Sequence, residues 1–119
     1  MLNTITIMGR LVRDPELRNA GQHRVVNFTL AVDRDYGGDD QETDFIDCVA
    51  WNAQADFISK YFSKGRMAVV TGKLESSKWE DKDGNKRTSW RINADRVYFG
   101  DSKKEDQKEE PPKKYYKRR

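Results

Sequence analysis

Residues 76–92 read SSKWEDKDGNKRTSWRI, and the way this ribbon turns decides which side chains face a core. Leu74 and Ile92 are its apolar anchors and must point the same way. A three-residue loop, KDG, with Gly84 in the left-handed position, pairs even residues with even. A two-residue DG turn would pair even with odd and put the anchors on opposite faces. The longer loop is therefore expected. It puts Leu74, Ser76, Trp90 and Ile92 on the inner face and Glu75, Ser77, Trp79, Arg87, Ser89 and Arg91 on the outer face. Trp90 is then expected in the core or at its edge, and Trp79 outside, near Arg87.

Working outward, TITIMGRLV alternates, with Ile5, Ile7 and Leu11 as apolar markers and Gly9 as a bulge or close approach. RDPELR is read as ending that strand. In HRVVNFTLAVDRDY, Val26, Phe28, Leu30 and Val32 share one parity, and GGDDQET is a turn-rich connection. DFIDCVAWN sets Phe45, Val49 and Trp51 against Ile46, Cys48 and Ala50. The period then changes: Asn52 is a plausible N-cap, Ile58, Tyr61 and Phe62 fall at helical spacing, and Lys64 and Gly65 close the segment. RMAVVTGKLESSKW and RTSWRINADRVYFG complete the list. The order is three strands, a helix, then a two-strand hairpin. It predicts an all-β fold with one helix between strands three and four, the order of a five-stranded OB-fold barrel. A small α+β sandwich shares that order.

With 119 residues, the chain suits one domain with a modest core, and its hydrophobic and charged fractions, 35% and 36%, suit a wet surface. No stretch is long or apolar enough to cross a membrane, and the N-terminus lacks the pattern of a signal peptide. The single cysteine, Cys48, makes no internal disulfide, so an intracellular, cytoplasmic protein is expected. The net charge of +3 is not spread evenly. Residues 1–100 hold 15 of the 23 basic and 15 of the 20 acidic residues, so that part is neutral. The division expected is a folded domain over 1–100 and a disordered charged tail over 101–119, where periodicity stops.

An argument for nucleic acid must therefore rest on where rings and cations sit. Tyr36, Phe45, Trp51 and Trp79 are candidate stacking platforms for unpaired bases. Arg34, Lys64, Lys73, Lys78 and Arg87 are candidate phosphate contacts between them. For Trp79 the competing reading is a ring lying on its own hairpin, and for each cation a solvated surface residue. Asp47 shares the parity of Phe45 and Trp51 and sets a negative charge on that surface.

IMGRLVRDPELR, NFTLAV, DFIDCVAW, YFSKG and VTGKLESSKWEDKDGNKR resemble, in order, the successive blocks of bacterial single-stranded DNA-binding proteins, over about Met1 to Gly100. The resemblance implies an OB-fold homotetramer that wraps single-stranded DNA without sequence preference and without a cofactor, nucleoid-associated, in replication, recombination, repair or uptake. It implies stacking at Phe45, Trp51 and Trp79, with Tyr36 near a fourth ring, and basic contacts at Lys64, Lys78 and Arg87. Three departures are visible. Phe45 stands where some members carry Trp, and Asp47 where some carry a basic residue. The C-terminus reads KKYYKRR rather than an acidic tip with Pro-Phe, so recruitment of replication or repair enzymes by that route is not expected. That basic, tyrosine-bearing end reads either as a weak nucleic-acid arm or as a solubilising tail.

Other function classes are weaker. Cys–His catalysis would need His23 and Cys48, the only ones present, to meet. Asp39, Asp40, Glu42 and Asp44 could hold a divalent metal in a nuclease, but their Gly-Gly setting favours a solvated turn; no metal site is expected. An RNA-binding OB module and a purely structural oligomerisation domain, with Trp51 and Trp79 at subunit contacts, remain the alternatives.

Overall fold

The computed structural model describes residues 1–36 and 42–101. The order is β1 (Ile5–Leu11), β2 (Glu16–Ala20), β3 (His23–Asp33), β4 (Thr43–Trp51), α1 (Asn52–Tyr61), β5 (Met67–Glu80) and β6 (Lys86–Phe99). The strands form one sheet in the order β1-β5-β6-β4-β3-β2, and β1 also pairs with β3. That second pairing closes β1, β5, β6, β4 and β3 into a five-membered ring, with β2 outside it. Within the ring the helix lies between the third and fourth strands, as the OB-fold order requires.

β1 closes the ring by serving two partners. Ile5 to Arg10 pair with β5, while Arg10 and Leu11 pair with Ala31 and Leu30 of β3. The handover is tight at Gly9, where a Cβ would stand 2.6 Å from the carbonyl oxygen of Ala31. Gly9 is thus the close approach that the sequence suggests. Inside, Val26, Phe28, Leu30, Cys48, Ala50, Val70 and Ile92 pack against Ile58 and Phe62. In β6 the parity switches. Thr71 pairs with Arg96 and Gly72 with Ala94, leaving Asp95 as an extra residue. The bulge lets Ile92, Ala94 and Val97 all face the core.

Three expectations are corrected. The segment after β1 does not simply end a strand: β2 forms a hairpin with β3, turning at Gly21 with φ 66°. All five of its residues are exposed, so it has no apolar alternation to announce it. Asn52 is not a side-chain N-cap. It is the first helical residue, at φ 52°, and its Oδ1 accepts from the backbone N–H of Arg24 at 3.0 Å. Its side chain is spent on tying the helix to β3.

The third correction is Trp90. The loop expected is the loop found: Asp81 N–H donates to Asn85 O, Gly84 has φ 84°, and Ser76 pairs with Trp90 and Leu74 with Ile92. Trp90 therefore has the inner parity, yet it is 58% exposed while Ile92 is fully buried. The hairpin outruns the barrel. Past Ile92 no second layer lies beneath it among the described residues, so inner parity no longer means core. From Leu74 to Glu80 the arm extends by roughly 20 Å at strand rise.

The connection GGDDQET falls largely in residues 37–41, and the tail in 102–119, both outside the described residues, as are Asp39 and Asp40. Asp101 is described: its carboxylate accepts from Arg66 Nε at 3.0 Å and from the Met67 N–H at 3.1 Å. No helix among the described residues is long and apolar enough to cross a membrane.

Candidate nucleic-acid interface

Strand register defines a second face, opposite the core. In β4 it presents Phe45, Asp47, Val49 and Trp51, paired in turn with Ala31, Thr29, Asn27 and Val25 of β3. β4 then runs parallel to β6 at Val49 and Asn93. The odd residues of β6 up to Asn93, and of β5 from Lys73 to Trp79, continue the face. Phe45, Trp51, Trp79, Lys73 and Arg87 therefore lie on one side of one sheet.

Phe45 is 67% exposed and Trp79 49% exposed. Trp51 is partly sheltered by His23, whose ring meets it edge-on at 6.3 Å. Trp79 is neither buried nor loose. Its indole N–H donates to the Ser89 hydroxyl at 2.8 Å, which pins the ring across the hairpin and leaves the plane available. The ring rests on its own ribbon and keeps about half of its surface open. A groove of about 470 Å³ beside it is lined by Lys78, Trp79, Glu80, Lys86, Arg87 and Thr88.

The remaining candidates lie elsewhere. Tyr36 is 86% exposed and, with Arg34, follows the end of β3. Lys64 lies between α1 and β5, its backbone N–H donating to Asp14 at 2.8 Å. Lys78 pairs with Thr88 and shares the face of Trp90, not that of Trp79.

The cations differ in a way that residue type does not reveal. Arg34 contacts Glu42 and Asp44, each at 3.0 Å. The hydrogen bonds that Arg34 donates to Asp44 hold the Asp44 carboxyl below its usual range and raise Arg34. Glu42 and Asp44 are thus engaged with an arginine. Arg87 is held by Asp81 at 2.9 Å. The Asp81 carboxyl is lowered first by the backbone N–H of Asn85 and then by Arg87. Asp47 receives a hydrogen bond from the Thr29 hydroxyl at 3.0 Å, and no cation is paired with it among the described residues. Cys48 is buried, with its thiol pushed up to about 12 chiefly by burial, while His23 contacts Trp51 and Asn52.

Residues 2–100 match the model of the single-strand binding protein family. The chain belongs to that family. It is 38% identical over 102 residues to a single-stranded DNA-binding protein of Halalkalibacterium halodurans, covering 83% of this chain and 61% of that one. It is 39% identical over 107 residues to that of Fusobacterium nucleatum, covering 86% and 69%. It is 36% identical to single-stranded DNA-binding protein 1 of Lactococcus lactis, covering 87% and 71%. The matched part spans 61–71% of the length of these three relatives. Sequence reading placed Trp90 in the core or at its edge, whereas it is 58% exposed on the ribbon face opposite Trp79. The signal for Trp90 was hairpin length, since the ring lies two residues beyond the last core anchor.

Proposed function

We propose that the chain binds single-stranded DNA without sequence preference and without catalysis. The observation that supports this most is the trio Phe45, Trp51 and Trp79 on the non-core face of one sheet, each with ring surface left open. Every base has a flat face, so such rings discriminate little between sequences. Stacking and released counterions offset the backbone freedom that a bound strand loses. Tyr36, exposed beyond the end of β3, is a fourth ring open to a base. Lys64, Lys73, Lys78, Arg34 and Arg87 supply charge for phosphates, Arg34 and Arg87 by exchanging a carboxylate for a phosphate. No cofactor is needed. The role is to keep strands unpaired during replication, recombination, repair or uptake, in the cytoplasm.

A homotetramer accompanies this reading. Met8, Val69 and Tyr98 are in register across β1, β5 and β6, with Met8 and Tyr98 half exposed. Among the described residues this apolar strip is left half open. The folded domain is taken to span 1–100, with the charged segment 101–119 either a weak nucleic-acid arm or a solubilising tail.

Titration with oligo-dT, read by tryptophan fluorescence, tests the function. Quenching is expected, and a matched RNA oligonucleotide should compete less well. No quenching at micromolar DNA would sink the proposal, and stronger RNA competition would redirect it. Light scattering tests the assembly, and a mass near the single-chain 13.9 kDa would overturn it.

A further inference from the structure

Asn52 stands at the joint where β4 passes into α1, and its side chain bridges two partners. Its Oδ1 accepts from the backbone N–H of Arg24 at 3.0 Å. Its amide nitrogen is therefore the atom 3.2 Å from His23 Nδ1. An amide nitrogen only donates, so Nδ1 accepts and the neutral imidazole carries its hydrogen on Nε2. The bridge holds the ring edge-on to Trp51, at 6.3 Å and 88°. With Nδ1 turned to Asn52, the Nε2–H lies across an exposed ring.

His23 is the single histidine in 119 residues. Histidine is the side chain whose charge ordinarily changes between pH 5 and 8. Its charged surroundings come from three elements. Arg24 of β3 holds Asp56 of α1 at 2.7 Å. In β2, Ala20 stands opposite His23, with Arg18 opposite Val25 and Glu16 opposite Asn27. In β4 the neighbour is Trp51, itself opposite Val25, and the acid farther along that face is Asp47.

We propose that His23 couples single-strand binding at Trp51 to pH: its Nε2–H donates to a phosphate of the nucleotide on Trp51, and the imidazolium holds that phosphate more tightly than the neutral ring. The inference rests on the single-strand reading above and adds a regulation to it. The extra proton comes from solvent and goes to Nδ1, where it displaces the Asn52 amide. That contact is exposed, so water takes its place. Coupling is reciprocal: if the charged ring binds phosphate better, bound phosphate favours the charged ring. Affinity for a single strand therefore rises as pH falls.

The test uses the full chain and oligo-dT at fixed salt, from pH 8 to 5.5. Affinity should rise roughly 2- to 5-fold over that descent, the scale of one exposed ion pair. The salt slope should steepen by about 0.7, one added phosphate contact. His23→Gln can still accept from Asn52 but takes up no proton, and should lose both changes. Proton NMR of the single imidazole gives a second readout: its titration should move to higher pH when oligo-dT saturates the protein. An affinity that stays level over this range overturns the proposal. So does a pH response retained in His23→Gln, or an imidazole titration that oligo-dT leaves in place. If the unaltered chain binds oligo-dT at pH 8 while these tests fail, the proton link alone is refuted. If it ignores oligo-dT at every pH, the single-strand reading falls with it.

Discussion

The carboxylate of Asp81 spans the mouth of the hairpin loop: one oxygen accepts from the N–H groups of Asp83 and Asn85, and the other takes the Arg87 guanidinium at 2.9 Å. One side chain thus shapes the loop and neutralises a cation beside Trp79. Asp81→Asn keeps an oxygen for the backbone N–H groups and removes the charge. Arg87 is then free for phosphate, and the salt slope of oligo-dT binding should steepen by about 0.7. A slope equal to that of the unaltered protein would place Arg87 off the strand's path.

Trp79→Ala should weaken oligo-dT binding by roughly 1–3 kcal/mol. The ring is half exposed, so the melting temperature should hardly move. A large drop in melting temperature with unchanged affinity would show a packing role.

Asp47 can be probed in two steps. Asp47→Asn retains an acceptor for Thr29 and removes the charge; Asp47→Lys adds a cation. Affinity for oligo-dT should rise at each step, with the lysine raising the salt slope by about 0.7. Flat titrations across the series would mean that DNA does not pass over β4 at that point.

Stability should separate Trp90 from Ile92, two residues apart on one face. Ile92 is fully buried, and Ile92→Ala should cost roughly 2–5 kcal/mol in chemical denaturation. Trp90→Ala should stay within about 0.5 kcal/mol. Comparable losses would mean that Trp90 is buried in the assembled protein.

Acid sensitivity follows from three carboxylates. Asp44, Asp56 and Asp81 are held below their ordinary values, Asp44 and Asp56 first by hydrogen bonds from Arg34 and Arg24, Asp81 first by the Asn85 N–H. A carboxyl depressed in the folded state adds stability above its unfolded value of about 3.9, and that stability is lost as pH falls through the folded value. The melting temperature should therefore be level from pH 7 to about 5 and decline below 4. The Asp44 and Asp56 pairs are solvent-exposed, so each contribution is small, while Asp81 is more sheltered. Asp56→Asn should shallow the decline, and an unaltered acid limb would exclude the Arg24 pair as a source.

Much of this fold was legible because few registers satisfy the apolar anchors. The shared face of Leu74 and Ile92 admits the KDG loop and excludes the shorter one, and the parity of Val26, Phe28 and Leu30 marks a wall of the barrel. β2 was not legible because no residue in it is buried, and strand patterns are read from burial. The outer positions of Phe45, Trp51 and Trp79 follow from alternation alone. Whether a cation is free does not, since Asp81 meets Arg87, and Asp56 meets Arg24, only through the folded backbone. Trp90 misled because parity tells which way a side chain points and not whether anything lies there.

The double role of β1 has a consequence in time. The strand made first closes the ring, and its partner in β5 is distant: Asn3 exchanges hydrogen bonds with the backbone of Leu74, 71 residues away. At synthesis rates of roughly 5–20 residues per second, the N-terminal strand waits several seconds for that partner to emerge. Until then Ile5 and Ile7 have no neighbour in β5 to cover them. The β2–β3–β4 meander rests on contacts close in sequence, whereas closure of the ring is long-range, and pairing of that kind is intrinsically slow.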